Sequence, residues 1–110
     1  MKLERLTVDQ AKMLSLDVVD EEDHPIYQFK NEFGYIIWDV YNPNRNKSAF
    51  CILMIYVSPG HRLCGHAKKL LAALSEKAKS EDRDVMTGCF TDEGKYLIPT
   101  CKKLGFIIEN

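Results

Sequence analysis

Nine consecutive residues, Ala49 to Val57 (AFCILMIYV), are apolar at odd and even positions alike. A strand with one wet face alternates with a period of two, so an unbroken run of this length predicts a strand covered on both sides. The run falls well short of the roughly 20 residues a helix needs to cross a bilayer, and it is rich in β-branched and aromatic types. A chain carrying such a segment must set it centrally in a sheet and bring helices to both faces. That requirement selects an α/β fold.

The flanking sequence supplies the other elements. Thr7-Val8-Asp9-Gln10 fits a capping box, with Leu6 placed to staple onto Ala11, and predicts a helix from about Val8 to Val18. Asp20-Glu21-Glu22-Asp23 has no apolar periodicity and runs into His24-Pro25, so it reads as an acidic loop. IYQFK from Ile26 and FGYIIWDVY from Phe33 are aromatic and β-branched around Asn31-Glu32, the pattern of a hairpin. NPNRNK (Asn42 to Lys47) is a turn segment leading into the apolar strand. Beyond it, Leu63, Ala67, Leu70, Leu71, Leu74 and Ala78 recur at helical spacing, with Lys68, Lys69, Glu76, Lys77 and Lys79 mostly on the other side. Asp84 to Phe90 reads as another strand. Thr91-Asp92 can cap a last helix ending at Leu104-Gly105, and Pro99 predicts a kink or a late start within it. Phe106 to Ile108 is a short closing strand.

At 110 residues the chain has the size of one domain, residues 1–110. The N-terminal residues lack the basic, apolar and small-residue regions of a secretory signal, and no segment has the length of a membrane span, which predicts a cytoplasmic protein. Cysteines at 51, 64, 89 and 101 contain no CxxC pair, so free thiols are expected. Residues 1–44 hold 4 Lys and Arg against 9 Asp and Glu, a net −5, while residues 45–110 hold 11 against 7, a net +4. That division suits an anionic ligand on the second half and a cationic one on the first, and it suits ordinary solvated surface equally. The basic helix face has no interleaved aromatic residues, so nucleic acid is not expected as a partner.

The segment VSPGHRLCGHAKKLL, from Val57, joins the apolar strand to its helix. A glycine-containing loop between strand and helix lets backbone amides at the helix start converge on an anion. Arg62 adds charge there, and Gly65 either lets a phosphate approach the backbone or makes a close packing contact. His61, Cys64 and His66 form an HxxCxH cluster, but three ligands within six residues and no second pair make a poor tetrahedral site, so no metal is expected.

Arg62-Leu63-Cys64-Gly65-His66-Ala67 is an RxxGxA run after an apolar strand, and Lys103-Leu104-Gly105-Phe106 closes the last helix. Together they resemble the GNAT superfamily of N-acetyltransferases, tightly over residues 49–106 and by topology over residues 1–48. The resemblance implies a mixed, mostly antiparallel central sheet flanked by helices on both faces, and acetyl-CoA as cofactor. It implies that the amides of Leu63, Cys64, Gly65, His66 and Ala67 hold the pyrophosphate, with Arg62 adding charge to that cofactor site. The backbone of Ile55, Tyr56 and Val57 would pair with the pantetheine arm as an added strand. The acceptor would be an amine: a protein lysine or N-terminus, a polyamine or a small amine.

The chain departs from the family pattern at the chemistry. The position of the usual acid tyrosine is Cys101, which could protonate a departing thiolate through a bridging water; Tyr96 lies on a different helix face from it. The strand position of the usual base glutamate falls near Cys51, so Asp39 on the neighbouring strand is the preferred base, with Glu32 behind it and a surface role as its alternative. The usual closing hairpin after Phe106 is absent or short, which raises the possibility of a homodimer that completes the acceptor wall. These departures leave a second reading open, a GNAT-fold binding or structural module without catalysis that still holds CoA. Cys51 and Cys89 read as buried small hydrophobes, and Tyr35, Trp38 and Tyr41 as core or pocket wall.

Overall fold

The computed structural model describes residues 2–14, 16, 25–41, 49–61, 65–88 and 92–108. Six strands form one sheet in chain order: β1 (Lys2–Leu6), β2 (Ile26–Lys30), β3 (Gly34–Tyr41), β4 (Ala49–Val57), β5 (Asp84–Thr87) and β6 (Ile107–Ile108). β1 to β4 pair antiparallel, whereas β4 with β5 and β5 with β6 pair parallel. Parallel neighbours need a crossover, and α2 (His66–Ser80) and α3 (Ile98–Lys103) provide the two. α1 (Val8–Met13) follows β1. The sheet is therefore mixed and mostly antiparallel, as the sequence led us to expect, with apolar clusters on both faces.

β1 has no counterpart in the sequence reading. KLERL carries only a weak alternation, with Leu3 43% exposed and Leu6 buried. It becomes a strand by pairing with β2, and its charged residues suit an edge position. The capping box forms as expected: the Gln10 amide donates to Thr7 Oγ1 (3.1 Å), and the Thr7 amide donates to Gln10 Oε1 (2.8 Å). The helix stops at Met13 rather than near Val18, which lies outside the described residues. The amides of Leu14 and Leu16 both donate to the Ala11 carbonyl at 3.1 Å, so the chain peels away there and turns both leucines onto the Ala11 cluster.

β4 explains its own composition in two ways. Both of its faces meet apolar clusters, and it also changes face midway. Ile37 of β3 pairs with Met54 while Trp38 pairs with Ile52, leaving Leu53 as an extra residue, a β-bulge. Before the bulge Phe50 and Ile52 point to the first cluster; after it Ile55 and Val57 do. Leu53 and Met54 both pack against the opposite cluster. Apolar residues at both parities are thus partly a record of the bulge. Burial is complete at Ala49, Phe50 and Val57 and partial between, so coverage is less than the run alone suggests.

The larger cluster centres on Trp38, 0% exposed, whose ring lies 4.9 Å from Phe29, 5.7 Å from Phe50 and 6.0 Å from Tyr27. α2 adds Ala67, Leu70, Leu71, Leu74 and Ala78 to it at the expected helical spacing. The second cluster joins Leu6, Ala11, Ile26 and Ile37 on the other face.

The last crossover starts late, as Pro99 predicts. A 3-10 turn spans Asp92–Leu97, and α3 begins at Ile98 with Pro99 in its first turn, where no helical N–H bond is needed. The helix ends where Gly105 takes φ 81°, with the Phe106 amide donating to the Cys101 carbonyl (3.0 Å) and the Gly105 amide to that of Lys102 (3.1 Å). β5 ends at Thr87, short of the expected Phe90. Cys89, Phe90, the Thr91 cap, the acidic loop at 20–23 and the turn at 42–47 lie outside the described residues, as does the Tyr41 side chain.

Candidate functional site

β4 and β5 are in register only from Ala49 opposite Asp84 to Ile52 opposite Thr87. β5 then stops while β4 continues through Leu53, Met54, Ile55, Tyr56 and Val57. The two parallel strands therefore part at the bulge. Ile55 and Tyr56, two of the three residues expected to meet the pantetheine arm, are half-buried on this stretch, and Val57 at its end is buried.

Beyond β4, a 3-10 turn at Pro59–His61 closes with the His61 amide donating to the Ser58 carbonyl (2.8 Å). Arg62, Leu63 and Cys64 lie outside the described residues. Gly65 follows as the N-cap of α2 with φ 85° and ψ 2°, and no side chain caps the helix. The first helical bond runs from the Lys69 amide to the Gly65 carbonyl (3.1 Å), so the amides of His66, Ala67 and Lys68 have no acceptor within the helix. No acidic residue stands in the first turn. The start of α2 thus combines amides without helical acceptors, the positive end of a four-turn dipole and a first turn without acidic residues.

The structure bears on the packing reading of Gly65. A Cβ built there meets nothing within 4 Å, so it is not a packing contact among the described residues. The left-handed φ is what calls for glycine, and the missing side chain leaves the helix start open.

A hollow of about 130 Å³ lies at this helix start, lined by Gly65, Ala67, Lys68 and Tyr96. Tyr96 comes from the 3-10 turn before α3 and is 42% exposed. Sequence reasoning set it aside because its helical phase differs from that of Cys101. It reaches α2 across the fold, and no spacing in the sequence signals that.

On the other flank, the β2–β3 turn rests on the end of β4. Asn31 Oδ1 accepts from the amides of Phe33 (2.8 Å) and Gly34 (2.9 Å), and the Ser58 amide donates to the Phe33 carbonyl (2.7 Å). Gly34 sits opposite Val57, and a Cβ built on it overlaps the Tyr56 carbonyl oxygen and comes within 2.9 Å of the Val57 Cα. The obstacle is backbone, so no rotamer relieves it. Gly34→Ala is expected to cost about 2–3 kcal/mol, by displacing the turn or β4. A lowered urea midpoint with an unchanged m-value is the outcome that checks it.

The two residues singled out for proton transfer fall on opposite faces. Cys101 is 1% exposed within the larger cluster, and burial pushes its thiol above the usual range, which favours the neutral thiol over the thiolate. Asp39 pairs with Ile26 and Cys51, and strand alternation sets it on the face opposite Trp38 and Val40. It is half-buried, with Oδ1 fully enclosed. Glu32 is exposed in the β2–β3 turn. Cys51 is half-buried and forms no disulfide among the described residues. Tyr35, stacked on Tyr56 at 5.3 Å, packs against the second cluster; burial, and then charge repulsion with Tyr56, raise its phenol pKa. Among the described residues no three His, Cys, Asp or Glu side chains gather to hold a metal ion, and no helix is long and apolar enough to cross a membrane.

Comparison with known proteins agrees with this geometry. The family model for the "Acetyltransferase (GNAT) family" matches residues 17–106. No curated protein matches the chain. Among solved structures it is similar to a ribosomal-protein-alanine N-acetyltransferase from Brucella melitensis biovar Abortus 2308, at TM-score 0.58 and 18% identity, covering 90% of this chain and 89% of that one. It is similar to glucosamine-6-phosphate N-acetyltransferase from Arabidopsis thaliana, at TM-score 0.57 and 19% identity, covering 96% and 90%. A third is an aminoglycoside acetyltransferase from an uncultured soil metagenomic sample, at TM-score 0.58 and 16% identity, covering 94% and 86%. At these identities the likeness is one of fold.

Proposed function

Because this chain belongs to the GNAT family of acetyltransferases, we propose that it is a single-domain N-acetyltransferase that binds acetyl-CoA between β4 and the start of α2 and passes its acetyl group to an amine. The observation that carries the reading is the parting of β4 from β5 at the Leu53 bulge, directly ahead of a helix start opened by Gly65. An extended arm can lie along β4 past the end of β5 as an added strand, beside Ile55, Tyr56 and Val57. The amides of Gly65, His66 and Ala67, with Arg62, Leu63 and Cys64 completing the loop, suit a pyrophosphate.

Acetyl-CoA, when bound, supplies an activated thioester carbonyl. The residues then have three tasks. The bulge at Leu53 holds backbone that the ladder to β3 does not use, next to where that carbonyl would lie, and a bulged amide is suited to polarise it. Asp39 would take the proton of the attacking amine, and Cys101 would return a proton, through water, to the departing thiolate sulfur. Solvent then reprotonates Cys101 and deprotonates Asp39.

The acceptor named for each of the three similar structures carries an amine. The −5 charge of residues 1–44 favours a cationic one here, such as a lysine side chain, a polyamine or a protein N-terminus. A cytoplasmic location and a homodimer that completes the acceptor wall belong to the same reading, and light scattering tests the second.

Calorimetric titration with acetyl-CoA, followed by thiol release with a panel of amines, tests the function. Micromolar binding with turnover is expected, and no binding at high micromolar cofactor overturns it. Binding without turnover on any amine favours a CoA-holding module instead. Cys101→Ala and Asp39→Asn should each keep the acetyl-CoA Kd within about twofold and lower kcat by ~100-fold, the low end for a general acid or base. Unchanged kcat in either variant removes that residue from the mechanism.

A further inference from the structure

Phe33 stands at the tip of the β2–β3 turn, and its ring meets both histidines of the β4–α2 connection. The centroids lie 4.3 Å from His61 and 4.2 Å from His66, each at 33°, and the two imidazoles are 6.1 Å apart at 65°. His61 ends the 3-10 turn after β4, and His66 is the first residue of α2. The pair therefore brackets residues 62–65, the loop on which phosphate binding depends.

Phe33 is itself held in place. Its amide donates to Asn31 Oδ1 (2.8 Å), its carbonyl accepts from the Ser58 amide (2.7 Å), and Gly34 lets the turn lie directly on the Tyr56 backbone. The ring is anchored to β4 on one side and braces both ends of the loop on the other. His61 is exposed and His66 half-exposed, so neither needs an aromatic partner for burial. Their meeting on one ring from separate elements calls for a different account.

We propose that Phe33 is a positioning residue for cofactor binding: with His61 and His66 it forms an aromatic clasp that holds the two ends of the phosphate loop at their working separation. The inference rests on the acetyl-CoA reading above. An unbraced loop must be ordered when ligand binds, and that cost comes off the affinity; a loop braced in the free protein has already met it during folding. Aromatic contacts of this kind are each worth up to roughly tenfold in an equilibrium constant. The clasp touches no reacting atom, so its loss should appear in binding and leave the chemical step alone.

The experiment compares Phe33→Leu, which keeps apolar bulk without the ring, with His61→Ala and His61→Phe. All are checked for an unchanged circular dichroism spectrum. Phe33→Leu is expected to raise the acetyl-CoA Kd and KM by about tenfold and His61→Ala by about threefold, with kcat within twofold. His61→Phe should retain the affinity of the unaltered protein, because it keeps a ring in the clasp. Without ligand, amide exchange at Ser58, Gly60, residue 61 and Gly65–Ala67 should quicken in Phe33→Leu and His61→Ala. Unaltered affinity and unaltered exchange in both variants would overturn the proposal. If the unaltered protein binds no acetyl-CoA, the acetyltransferase reading fails instead, and the ligand-free exchange rates still decide whether the clasp braces the loop.

Discussion

Gly65→Val is expected to abolish the proposed acetyl-CoA binding, to beyond a 100-fold loss in affinity, while the protein stays folded. The left-handed conformation at φ 85° costs an ordinary L-residue about 1–2 kcal/mol and a β-branched one more. Valine must therefore pull the N-cap of α2 out of the conformation that turns its first amides outward. Among the described residues nothing lies within 4 Å of the new Cβ, so the described core is untouched and the strain falls on the loop. The branched side chain also stands in the space a phosphate would need. Asparagine tolerates this region better, so Gly65→Asn should lose only about tenfold. Calorimetry gives the affinities, and a melting temperature within a few degrees of the unaltered protein shows that the fold survives. An unchanged Kd in Gly65→Val would mean that the anion is held elsewhere.

Trp38→Ala is expected to remove about 3–5 kcal/mol of stability, a large share of the 5–15 kcal/mol a domain usually has. Trp38 is fully buried where β2, β3 and β4 meet, touching the rings of Tyr27, Phe29 and Phe50. Alanine leaves a cavity that rigid strands on either side cannot close. The melting temperature should fall by roughly 15 °C or more, since 1 kcal/mol corresponds to about 4–8 °C in a chain of this size. Trp38→Phe separates ring from hydrogen bond. The indole Nε1 is buried with no partner among the described residues, so phenylalanine loses volume but no hydrogen bond and should cost well under half as much. Trp38 also faces Ile52, the last β4 residue before the bulge. Trp38→Ala should therefore weaken acetyl-CoA binding even below its melting temperature, and Trp38→Phe should not.

The parts of this fold that were legible in advance are those whose cause is local. Thr7 and Gln10 cap each other three residues apart, Asn31 turns its own neighbours, Pro99 delays α3, and Gly105 ends it in the left-handed conformation. The α2 stripe appears because helical spacing is written into any single segment. The misreadings have non-local causes. KLERL is a strand only because β2 lies beside it, and α1 ends early because Leu14 and Leu16 are drawn to a cluster built by other elements. In AFCILMIYV the continuous apolar pattern hid the bulge at Leu53, since a switch of face leaves no mark where both faces are apolar.

The site divides in the same way. By its own sequence the chain determined a glycine at a strand-to-helix junction, an apolar stripe at helical spacing and a motif resembling an acetyltransferase, because φ preference and spacing are properties of contiguous residues. Tertiary structure alone decided that β5 stops where β4 bulges, that Tyr96 reaches the start of α2, that Cys101 and Asp39 lie on opposite faces, and that Phe33 braces His61 and His66. Each of these joins residues whose separation along the chain carries no energy of its own. Packing of the whole sheet is what brings them within reach.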